Sequence, residues 1–260
     1  MNGELMAKVM ILGGTAEAGE LAARLAGDTR LDTVTSLAGL TRLPQAVAGN
    51  VRRGGFGGPD GLAQALREGG YDALVDATHP FAARIAQHAK EAAEMAQVPR
   101  IKLVRPGFER RPDDHFIEVA DMAGAAASIP QGARVFLAAG RREIRAFAER
   151  QDLWCLMRMI EPPVAGEEFP RGEVILGRPP NDPQAEIALF KEHGIEWIVS
   201  KDSGGRASAK IEAARLLGLP VVLVRRPKPP EGPKAAQLEA ILEWLETTLF
   251  AAADAPASLS

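Results

Sequence analysis

Five turns in this chain carry residue types that could do chemistry. The first is Gly13-Gly14-Thr15, which follows the apolar run KVMIL at 8 to 12 and precedes AEAGELAARLAG. Glycines in such a turn let backbone N–H groups approach a pyrophosphate at a helix N-terminus. The spacing is not GxGxxG, because Gly19 stands off the usual third position, so a merely tight strand-to-helix turn is the competing reading. Its place in the first βα unit favours binding. The second strand end, Ser36 to Arg42, offers no carboxylate for a ribose 2′-hydroxyl. Ser36, Thr41 and Arg42 could instead receive a 2′-phosphate, since hydroxyls donate and a guanidinium matches phosphate oxygens, which tilts the cofactor toward NADP. The alternative for Arg42 is a solvated loop residue.

Asp76-Ala77-Thr78-His79-Pro80-Phe81 delivers polar groups at another strand end. Either these residues face a ligand, or Thr78 is a helix N-cap and His79 a satisfied turn residue. The last turn, Ser200 to Lys210, holds Lys201, Ser203, Gly204 and Arg206, and with helix-terminal amides and Lys210 would form an anion pocket. Gly140-Arg141-Arg142 occupies the same topological position after RVFLA, and two basic strand ends suggest a substrate with several carboxylates.

Other chemistries find little support. The four histidines show no metal-ligand spacing, and no metal site is expected. Cys155 lies in the apolar run DLWCLM and reads as core. Ser203 is not in a GxSxG elbow, and the GxxxxGK[ST] order of a P-loop is missing. A net charge of −3 argues against nucleic acid or an anionic membrane as partner. One cysteine and no apolar run of membrane-spanning length predict a soluble cytoplasmic protein; oligomeric state is unreadable.

Positioning these turns requires alternating strands and helices. Strands are expected near 8–12, 33–38, 51–53, 72–77 and 101–104, with helices after 15, over 59–68 and after 81. The alternation predicts an α/β fold with parallel sheets covered on both faces and ligands at the carboxyl ends of the strands. RPGFERRPDDH at 105–115 interrupts the pattern as a crossing would. It separates a dinucleotide-binding domain at 1–104 from a second α/β domain at 116–233. That domain has strands near 116–119, 134–138, 153–158, 173–176, 195–200 and 220–224, and helices near 121–127, 142–149, 183–192 and 207–217. A helix over 234–248 could dock on either domain, and 249–260 reads as a frayed tail.

Together these segments resemble the precorrin-6A reductases of cobalamin biosynthesis, including the cobalt-precorrin forms. The resemblance rests on ILGGTAEAGELA at 11–22, DATHPFA at 76–82, LVRPGFER at 103–110, LAAGRREIRAF at 137–147, ILGRPP at 175–180 and VSKDSGGRASAKIEAARLLGLPVVLVRRP at 199–227. Family members often carry Asn where this chain has Asp202. The resemblance implies two Rossmann-like domains with mostly parallel sheets flanking a cleft, NADPH on the first, and a macrocyclic polycarboxylate substrate. The implied reaction is hydride transfer to a ring double bond of precorrin-6A, giving precorrin-6B. Gly13, Gly14 and Thr15 would hold the pyrophosphate and Ser36 and Arg42 the 2′-phosphate. Thr78, His79 and Phe81 would bind the cofactor, His79 and Phe81 near the nicotinamide, with His79 positioning rather than reacting. Arg141, Lys201, Ser203, Gly204 and Arg206 would face the substrate. Rival readings are a corrinoid-pathway methyltransferase using S-adenosylmethionine and a non-catalytic dinucleotide sensor.

Overall fold

The computed structural model describes residues 6–38, 47–160, 162–164, 166–205 and 208–251. The chain divides into two compact units, one ending at Arg105 and resuming at Pro227, the other running from Pro106 to Arg226. The expected boundary at 233 therefore moves: residues 227–233 belong with the first unit, where Lys102 donates its amide to Pro233 O and Arg100 donates to Glu231 O.

In the first unit, β1 (Ala7–Leu12), β2 (Leu31–Leu37), β3 (Asn50–Arg53), β4 (Ala73–Asp76), β5 (Arg100–Leu103) and β12 (Lys234–Ala235) form one sheet in the order β12-β5-β4-β1-β2-β3. Every pairing is parallel. Alternate residues of β1 serve opposite faces, as the two-residue period of a strand requires. Val9 and Ile11 pack with α1 (Ala16–Leu25) and α8 (Leu238–Phe250), through Leu21, Leu25, Ile241 and Leu245. Met10 and Leu12 pack with α2 (Pro59–Glu68) and α3 (Ala83–Ala96), through Leu62, Leu66, Ala89 and Ala93. Burial on both faces is why β1 and β4 read as unbroken apolar runs.

The second unit repeats the pattern. β6 (Phe116–Val119), β7 (Arg134–Ala138), β8 (Trp154–Met159), β9 (Gly172–Leu176), β10 (Trp197–Lys201) and β11 (Val221–Val224) form a parallel sheet in the order β6-β11-β10-β7-β8-β9. Its helices are α4 (Met122–Ser128), α5 (Arg141–Ile144), α6 (Pro183–Glu192) and α7 (Ala209–Leu217). Strand order reverses at β1/β4 in the first sheet and at β7/β10 in the second, and a crevice at such a reversal is where open α/β sheets take ligands.

Two elements differ from expectation, and one of two open readings is decided. The helix expected over 142–149 is α5 followed by a 3-10 turn at Arg145–Phe147 that buries Phe147 completely. The helix expected from 234 begins at Leu238, because Val104 donates to Ala235 O and draws Lys234–Ala235 onto the sheet edge. Thr78 does not cap a helix: α3 begins at Ala83 with Ala82 at its cap.

Candidate active site

The register of the first sheet lines up one row of residues at its carboxyl end. Arg52 pairs with Ser36, Ser36 with Leu12, Leu12 with Asp76, and Asp76 with Lys102. In-register neighbours in a parallel sheet share a face, so four of these five present polar side chains side by side just before the turns singled out above.

At the centre of the row the chain leaves β1 through Gly13 and Gly14. A Cβ on Gly13 would come within 2.8 Å of Thr35 Cγ2, so that glycine allows β1 and β2 to approach. Gly14 has φ +107° and open space where a Cβ would be, which leaves its backbone accessible from outside. The Thr15 hydroxyl is committed in both directions, donating to Ala77 O at 2.9 Å and accepting from Ala18 N at 3.1 Å. It caps α1 and ties β1 to β4, so what this turn offers an anion is backbone N–H.

On the β2 side, Ser36 lies 3.4 Å from Arg52 Nη1. The Arg52 guanidinium also donates to Gly54 O and Gly55 O and lies 3.8 Å over the Phe56 ring. Arg53 is exposed and makes no ion pair among the described residues. Thr41 and Arg42 lie outside the described residues.

On the β4 side, Asp76 is fully buried and Lys102 is 3% exposed. Lys102 Nζ donates to Asp76 Oδ2 at 2.9 Å, while Thr78 donates its hydroxyl to Asp76 Oδ1 at 2.6 Å. An unpaired charge in such a place would be costly, and the pair with its hydroxyl removes that cost. His79 Nδ1 accepts from Phe81 N at 3.2 Å, which places the proton of a neutral imidazole on Nε2. The two rings stand 5.9 Å apart. Glu17, in the first turn of α1, pairs with Arg105 at 2.5 Å.

In the second unit the expected cations are largely compensated. Lys201 Nζ lies 2.8 Å from both oxygens of Glu143, which also accepts from Gly140 N. Arg141 pairs with Glu167 at 3.3 Å, whereas Arg142 is exposed and makes no ion pair among the described residues. Backbone N–H from Val164, with Arg141 and Arg145 nearby, holds the Glu167 carboxyl below its ordinary value. Gly204 has φ +60°, and a Cβ there would come within 1.9 Å of Pro106 O, so this glycine is required by packing. Ser203 is buried, and Arg206 lies outside the described residues. Asp202 turns its carboxylate to Phe108 N and Arg110, at 2.8 and 3.0 Å, and so secures the start of the crossing segment.

Sequence reading assigned no role to Arg52, Lys102, Glu17 or Arg105. Lys102 had a signal, a lone cation inside an apolar strand beside another strand ending in Asp; Arg52 had only its place before a glycine cluster. Burial pushes the Cys155 thiol up to about 12, consistent with a core residue. Among the described residues no His, Cys, Asp and Glu cluster could hold a metal, and no helix is long and apolar enough to cross a membrane.

Comparison with known proteins gives this geometry a context. The family described as precorrin-6x reductase CbiJ/CobK matches residues 8–246. The chain belongs to this family. A precorrin-6A reductase of Rhodococcus erythropolis is 44% identical over 245 residues, covering 93% of this chain and 98% of that protein. One from Mycobacterium tuberculosis is 42% identical over 230 residues, covering 87% and 92%. The solved structure of CobK precorrin-6A reductase superposes with a TM-score of 0.89 at 37% identity, covering 94% of this chain and 98% of that one. The α/β fold, and the place of this chain among reductases of cobalamin biosynthesis, follow from these full-length matches.

Proposed function

We propose that this chain transfers a hydride from NADPH to a ring double bond of precorrin-6A, with a proton from solvent completing the reduction to precorrin-6B and NADP⁺. The full-length match to precorrin-6A reductases, over 93% of the chain in one case, carries this reading. Residues of the first sheet fit the cofactor. The open backbone at Gly14 and the amides at the start of α1 suit a pyrophosphate. Ser36, Arg52 and Arg53 suit a 2′-phosphate, with Arg42 added on sequence alone, and no carboxylate at the end of β2 opposes it. When bound, the nicotinamide supplies the hydride.

Thr78, His79 and Phe81 then position the nicotinamide end. Hydride transfer to a conjugated system needs alignment more than a side-chain nucleophile. In the second unit Arg142 takes a substrate carboxylate directly, while Arg141, Lys201, Ser203 and Gly204 are further substrate-side residues, to which sequence alone adds Arg206. Lys201 and Arg141 are already paired with Glu143 and Glu167, which limits the charge they can lend to a polyanion.

Titration with NADPH and, separately, NADH, following nicotinamide fluorescence, tests the cofactor half. Preference for NADPH is expected. Binding of neither, with binding of S-adenosylmethionine, would replace the reading with a methyltransferase.

A further inference from the structure

Thr78 lines a shallow concavity of the first unit with Thr15, Glu17, Ala77, Pro80 and Arg105. Its hydroxyl oxygen lies 2.6 Å from Asp76 Oδ1, and its own amide lies 3.1 Å from the same oxygen. A carboxylate only accepts, so the threonine hydrogen is committed to Asp76. The carboxylate is itself fixed, being fully buried with its other oxygen 2.9 Å from Lys102 Nζ. Lys102 Nζ also stands 3.5 Å from Thr78 Oγ, placing a second donor on the inner side and opposing any rotation that would turn the hydroxyl hydrogen inward. What the Thr78 hydroxyl has left to offer a ligand is an oxygen lone pair.

We propose that Thr78 contacts the bound dinucleotide as a hydrogen-bond acceptor, held in that sense by the Asp76–Lys102 pair acting as positioning residues. Its partner is an N–H or O–H donor of the nicotinamide riboside half, either the carboxamide amine or a ribose hydroxyl. Phosphates and substrate carboxylates, which only accept, are excluded as partners. The inference rests on the cofactor reading above and deepens it.

Calorimetric titration of the unmodified protein, Thr78→Val and Thr78→Ser tests the inference with four ligands: NADP⁺, its 3-acetylpyridine analogue, 2′-phospho-ADP-ribose and 2′,5′-ADP. Thr78→Val is expected to weaken NADP⁺ by roughly fivefold to tenfold, the loss of one hydrogen bond. Thr78→Ser restores it, and 2′,5′-ADP, which lacks the nicotinamide riboside, binds all three proteins equally. If the donor is the carboxamide, the acetylpyridine analogue binds the unmodified protein weakly and Thr78→Val costs it nothing further. If the donor is a ribose hydroxyl, Thr78→Val weakens the analogue and 2′-phospho-ADP-ribose as much as NADP⁺. Unchanged NADP⁺ affinity in Thr78→Val, an equal loss for 2′,5′-ADP, or failure of Thr78→Ser to restore binding would each overturn the inference. Absence of binding of every ligand to the unmodified protein would instead overturn the cofactor reading, and this inference with it.

Discussion

A guanidinium held by carbonyls and an aromatic face is a better phosphate ligand than one on a free stem, because less side-chain entropy is lost on binding. Arg52 is held in that way by Gly54 O, Gly55 O and Phe56. Arg52→Met is therefore expected to weaken NADPH by about tenfold while leaving NADH nearly unchanged, read as a ratio of dissociation constants. An equal effect on both would remove Arg52 from the 2′-phosphate site. For His79, whose Nδ1 holds the Phe81 amide, His79→Ala is expected to raise the KM for NADPH with kcat largely kept. A collapse of kcat at saturating NADPH would give His79 a chemical role. Thr78 and His79 were singled out in sequence because they follow a recognisable strand, and Ser36 because it lies near the end of one. Arg52 was not, and Lys102 stood out only as a cation in an apolar run, since their partners, Ser36 and Asp76, are fixed by strand register that a single sequence does not print.

At the scale of elements, buried charge decides more than exposed charge. Asp76→Ala strands the Lys102 ammonium in a dry site and is expected to cost about 3–5 kcal/mol in urea denaturation. A cost near that of an exposed pair would show that Lys102 can reach water. The Asp114 carboxyl is held below its ordinary value chiefly by its hydrogen bonds with Arg215, which tie the crossing segment to α7. A depressed folded value means that the unfolded chain takes up the proton first. The pair therefore stabilises the second unit above roughly pH 4 and loses that effect as pH falls further. Denaturation of Asp114→Asn from neutral to acid pH should show a shallower acid loss than the unmodified protein; an unchanged slope would contradict the assignment. Most elements were readable from apolar runs and helical spacing. β12 was not, because two residues carry no periodicity and their pairing depends on an edge offered by β5.

Across the whole molecule, connectivity is what sequence conveyed least. The strand after β5 in the chain edges the second sheet, and the first sheet is completed only by β12, after the second unit has been built. α8 then covers the first sheet with Ile241 fully buried and Leu245 at 2% exposure, settling a docking that amphipathic spacing alone left open. Ile241→Ala should cost about 2–5 kcal/mol and weaken NADPH binding through the first unit. A change under that range would mean that α8 is dispensable to the fold that carries the cofactor turn. The reaction itself is tested most directly by incubating the protein anaerobically with precorrin-6A and NADPH and weighing the tetrapyrrole by mass spectrometry. A gain of two hydrogens, matched mole for mole by NADPH oxidised, is the expected result. An unchanged mass with NADPH intact, or a gain of one methylene on addition of S-adenosylmethionine, would contradict it.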